Sequence, residues 1–124
     1  MADQLKTEER VPGNTYLRNG DPAAFKLLFF AQYPEYFSFA LLLMQRRPEA
    51  QKLTMEAFFL LWDRRSDFDS LKKIKVFLYL TLRTKCLREL KAPSSGAMAA
   101  IATLPSSLPA DILRDIFDYA ARTR

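Results

Sequence analysis

The chain has 124 residues, a net charge of +5, 49% apolar and 13% aromatic side chains, enough for one domain with tails. It contains no His, three Gly and one Cys, Cys86. This composition excludes His-dependent catalysis and most catalytic zinc sites, leaves no Gly-rich phosphate loop, and permits no internal disulfide or paired-cysteine metal site, as expected of a protein of the reducing cytoplasm.

Residues 1–19 are polar, lack the apolar run of a signal peptide and read as a flexible leader. The stretch NGDPAAF announces the first helix, with Asp21 as N-cap and Pro22 at the first helical position. Ala24, Phe25, Leu28 and Phe29 follow at helical spacing. The run from Phe25 to Met44 is apolar enough to raise the question of a membrane span, but Lys26, Gln32, Pro34 and Glu35 interrupt it. Pro34 is expected to end the first helix and open a second, whose Phe37, Ala40, Leu41 and Met44 share a face. The expectation is therefore two core helices and no membrane association.

Pro48 opens a third helix reaching to about Asp63, and a polar loop around Phe68 follows. An Asp69-Ser70 cap then starts a long helix that ends near Lys91. Residues 93–108 have the small, polar composition of a linker, and a short last helix fits residues 109–124, with Asp111 in its first turn. Its apolar Ile112, Leu113, Ile116 and Phe117 are expected to pack, with the outer face of the third helix as one place for them. No strand-like alternation and no internal repeat occur. The fold class is all-α: a bundle of about four helices over residues 20–92, plus a short C-terminal helix.

Wound at about 100° per residue, the third helix turns Ala50, Leu53, Thr54, Ala57, Phe58 and Leu61 to one side, the expected core face. Lys52, Met55, Glu56, Phe59 and Asp63 fall opposite. A Met and a Phe among charges read either as a partner-binding surface or as a face that another helix covers.

The following helix carries the charge imbalance of the whole protein. From Leu71 to Lys91 it has seven Lys or Arg and one Glu, a net +6 against +5 for the chain. Ile74, Phe77, Leu78, Thr81 and Leu82 can pack inward; Lys72, Lys73, Lys75, Arg83, Lys85, Arg88 and Lys91 fall mostly on other sides. Tyr79 lies off the apolar stripe and Phe68 just before the helix. Cations attract phosphates and aromatic faces can stack unpaired bases, although a solvated helix face has the same composition.

The order of these segments resembles region two of the extracytoplasmic-function sigma factors of bacterial RNA polymerase. The residues in register are Gly20, Asp21, Ala24, Phe25, Leu53, Glu56, Phe58, Trp62, Phe68, Asp69, Phe77, Leu78, Tyr79, Arg83 and Leu90, over about residues 19–92. The resemblance implies that the third helix docks on the clamp helices of the polymerase's largest subunit through Lys52, Met55, Glu56 and Phe59. It also implies that the loop and basic helix capture the minus-ten promoter element on the non-template strand, with one base flipped into a pocket. Arg64, Arg65, Phe68, Lys72, Lys73, Lys75, Tyr79 and Arg83 are the DNA-facing candidates.

The chain departs from the family pattern at Lys52, Met55, Thr84 and Arg88, where an acid, a Gln, an Asn and an Asp are usual. Of the family's second DNA-binding domain, only the lead-in is recognisable, a Leu-Pro before a helix. A second reading is therefore a protein-interaction module that keeps the fold without promoter recognition, with the polymerase clamp or an anti-sigma factor as partner. Neither reading involves catalysis, a cofactor or a metal, and no cluster of acids, activated nucleophile or metal-ligand spacing is present in the sequence.

Overall fold

The structure, a computed structural model, describes residues 20–92 and 107–123. The leader and most of the linker expected from the sequence lie outside the described residues. Four helices form the bundle: α1 (Pro22–Met44), α2 (Arg47–Asp63), α3 (Leu71–Lys91) and α4 (Ala110–Arg122), with a short 3-10 turn, Arg65–Asp67, between α2 and α3. No strand occurs among the described residues, and the fold is a small all-α bundle.

The caps follow the sequence. Asp21 accepts a hydrogen bond from the Ala23 amide at 3.0 Å, and Ser70 Oγ accepts one from the Lys73 amide at 3.2 Å, each satisfying a donor that helix geometry leaves open. Gly20 leads into the first cap at φ 83, a conformation that a side chain would strain, and the Arg65 guanidinium passes beside it. At the first turn of α2 the buried Glu49 lies 3.4 Å from Arg46 Nε, where the helix dipole also favours its charge. Buried Thr54 returns its hydroxyl to the Ala50 carbonyl at 2.6 Å.

Pro34 does not break the chain into two helices. It lies inside the continuous 23-residue helix α1. A proline here has no N–H for the carbonyl four residues earlier, that of Phe30. The Tyr119 hydroxyl of α4 donates to that carbonyl at 2.9 Å, so a tertiary contact supplies the missing donor. Tyr119→Phe is expected to cost about 1–3 kcal/mol, the range for a buried acceptor left unmade, and less than that when Pro34→Ala restores the helical donor. Urea unfolding of the two single variants and the double variant measures this coupling; equal costs in both backgrounds would disprove it.

By length and composition alone α1 could cross a membrane. Its Phe25, Phe29, Tyr33, Phe37 and Ala40 are nevertheless buried in one cluster with α2 and α3, the arrangement of a core helix. Phe29 stacks on Tyr33 at 4.7 Å and meets Phe58 edge-on at 4.9 Å. Trp62 and Phe25 close the same core at 5.2 Å.

Helix α4 packs mainly along α1. It buries Ile112, Ile116 and Ala120, as its apolar spacing leads one to expect. Lys26 Nζ and Asp115 Oδ2 pair at 2.9 Å, Arg47 donates to the Thr123 carbonyl, and Trp62 Nε1 donates to Ser107 Oγ at 2.7 Å. The hydrogen bond from Lys26 holds the Asp115 carboxyl below its ordinary range. Ser107 and buried Leu108, placed in the linker by sequence, thus belong to the packed structure.

Candidate nucleic-acid interface

The basic helix is set by its inward line. Ile74, Leu78, Leu82 and Cys86 are fully buried, at successive steps of four residues along α3. Burial, helped by Glu89, pushes the Cys86 thiol up to about 11, so it stays protonated and a poor nucleophile at neutral pH. Tyr36 of α1 donates its hydroxyl to the Lys75 carbonyl at 3.2 Å, fixing the rotation of α3 against the core. Burial pushes that phenol up to about 12, keeping the donor proton in place.

That rotation sorts the DNA-facing candidates. Lys72, Tyr79 and Arg83 are exposed, and their spacing of seven and four residues puts them on one side of α3 over about 16 Å. Lys75 is half-buried at the edge of the same side. Lys73 lies on the other flank and pairs with Asp69 at 3.0 Å. Tyr79 remains 45% exposed while one part of its ring rests on Phe39 of α1, centroids 5.1 Å apart. A half-open, braced ring of this kind is a surface on which a base can stack.

The remaining candidates are elsewhere. Phe68 is half-buried against Phe77 at 4.9 Å, on the opposite flank of α3 from Tyr79, so the two aromatics do not form one stacking platform. Arg65 is not a free cation. Its guanidinium lies 3.8 Å over the Trp62 ring and donates to the Trp62 carbonyl at 2.7 Å. It therefore acts as a brace at the end of α2. Arg64 is exposed as the C-cap of α2.

The four polymerase-docking candidates also divide. Met55 and Phe59 are 1% and 2% exposed, so the outer stripe of α2 is not an open apolar surface. Phe59 rests against Phe117 of α4, ring centroids 6.2 Å apart. The sequence could not exclude this cover, because its position depends on where α4 docks. Lys52 and Glu56 are half-buried in a groove of about 350 Å³ between α2 and α3, lined also by Lys85, Arg88 and Glu89. Lys85, grouped by sequence with the outward charges, turns into this groove and pairs with Glu56 at 3.3 Å.

Among the described residues, no group of acids, His or Cys could hold a metal ion. Comparison with known proteins returned no match: no family model, no curated protein and no solved structure is significantly similar to the chain.

Proposed function

We propose that this bundle is a sigma-factor region-two-like module, which binds core RNA polymerase in the cytoplasm and holds the strand-separated minus-ten promoter element along α3. The observation that carries the reading is the exposed side of α3, where Lys72 and Arg83 bracket Tyr79 and no acidic residue intervenes. Two cations and an open ring along about 16 Å offer phosphate attraction and base stacking together. Strand-separated DNA suits this arrangement better than a duplex, because a paired base has no free face for Tyr79. Lys52 and Glu56 line an open groove that a polymerase contact can reach, whereas Phe59 reaches a partner only when Phe117 of α4 moves aside and Met55 is buried in the bundle.

The test is binding of the full chain to a fluorescent single strand of minus-ten type and to its scrambled counterpart, with and without core polymerase. Replacing Lys72, Lys75 and Arg83 together by Glu is expected to abolish the salt-sensitive part of binding. Three lost phosphate contacts lower the slope of affinity against salt by about 2, at about 0.7 per contact on a single strand. Glu56→Arg, facing Lys85 in the groove, is expected to weaken polymerase binding and spare the isolated DNA affinity. Unchanged DNA binding in the triple variant overturns the interface. Equal affinity for the scrambled strand favours the protein-interaction reading instead.

A further inference from the structure

A line of apolar side chains stands in solvent on α3: Val76, Leu80, Leu87 and Leu90 are 52%, 54%, 43% and 50% exposed. With Arg83 between them they advance in alternate steps of four and three residues, the spacing of a coiled-coil seam, over about 21 Å. The bundle does not need this line. Its own contact with α3 is made on the other side by Ile74, Leu78, Leu82 and Cys86. Isolated exposed apolar residues are ordinary, but two pairs of them aligned on one side of a helix, here either side of Arg83, are a feature of helix-docking surfaces. Cations border it: Lys72 and Lys91 are exposed on its flanks and Arg83 sits within it, while Lys73 is paired with Asp69 and Glu89, the sole acid of α3, faces away at half-burial.

We propose that this seam docks an acidic amphipathic helix of a partner protein. The partner's apolar stripe packs on Val76, Leu80, Leu87 and Leu90, and its flanking carboxylates meet Lys72, Arg83 and Lys91. A second copy of the chain is a poor occupant, since it would oppose cations to cations. The acidic helix of this chain, α4, is already seated with Ile112 and Ile116 buried. A lipid surface fits less well, because the apolar line is narrow and an arginine in its middle would be driven into the acyl region. The inference does not rest on DNA binding, although a docked helix would cover Lys72 and Arg83 and so compete with a bound strand.

The test uses the full chain and a synthetic helical peptide with Leu at its seam positions and Glu at the flanks, a second peptide with Lys at the flanks, and phosphatidylserine vesicles. Leu80→Gln combined with Leu87→Gln removes apolar surface without changing charge, and both residues are exposed, so circular dichroism is expected to show an intact fold. The acidic peptide is expected to bind in a salt-sensitive manner, the basic peptide not at all, and the double variant to bind about tenfold more weakly or worse. No binding of the acidic peptide, or equal binding by the double variant, overturns the proposal. Vesicle binding that depends on Leu80 and Leu87 while the peptide fails reassigns the seam to lipid. Single-strand DNA affinity, which the neutral substitutions leave in place, separates failure here from failure of the promoter-binding reading.

Discussion

Phe29→Ala is expected to destabilise the protein by about 3–5 kcal/mol, the range for truncating a fully buried Phe. Phe29 has no exposed surface, and its ring meets Tyr33, Phe58 and Tyr119 at 4.7, 4.9 and 6.2 Å. It therefore joins α1, α2 and α4 at one point, and the void left by alanine cannot close without moving three helices. A domain of this size is stable by about 5–15 kcal/mol, so the loss takes a large share of the total. Urea unfolding followed by circular dichroism measures it. Leu42→Ala, at 71% exposure on the same helix, is the reference and is expected to change stability by about 0.5 kcal/mol or less. Similar midpoints for the two variants would show that the aromatic cluster is not the centre of the core.

Ile116→Asp is expected to release α4 from the bundle. Ile116 is fully buried, and an unpaired carboxylate at that position costs more than most helix-docking contacts return. Trp62 reports the event directly, because it is 1% exposed and donates to Ser107 at the approach to α4. Its emission is expected to shift to the red, and apolar dye binding to rise as Phe59 loses Phe117. Under the sigma-like reading the same variant presents Phe59 to solvent, so its affinity for core polymerase is expected to rise relative to its residual stability. Unchanged Trp62 emission in a soluble variant would mean that α4 is not held where Phe59 and Phe117 meet.

These two variants also mark how differently the parts of the molecule were written in the chain. The helices themselves were legible because their signals are local. Asp21 and Ser70 each cap the amides two or three residues on, Pro48 opens a first turn, and apolar spacing in α2 and α3 picked out core residues such as Phe58, Ile74 and Leu82. The concentration of charge on α3 was legible for the same reason, since it is a property of consecutive residues.

What needed the tertiary structure was every question of which face meets which. Pro34 follows the local rule for a helix break, yet the Tyr119 hydroxyl, 89 positions from Phe30, supplies the donor that the rule counts as missing. Met55 and Phe59 lie opposite the first core face of α2 and are buried all the same; for Phe59 the cover includes Phe117 of a helix that arrives much later in the chain. Arg65 and Lys85 looked like two more surface cations, and packing committed one to the Trp62 ring and the other to Glu56. A side chain's period along a helix determines its direction from the axis, but only the position of neighbouring helices determines whether that direction leads to water, to another ring or to a partner.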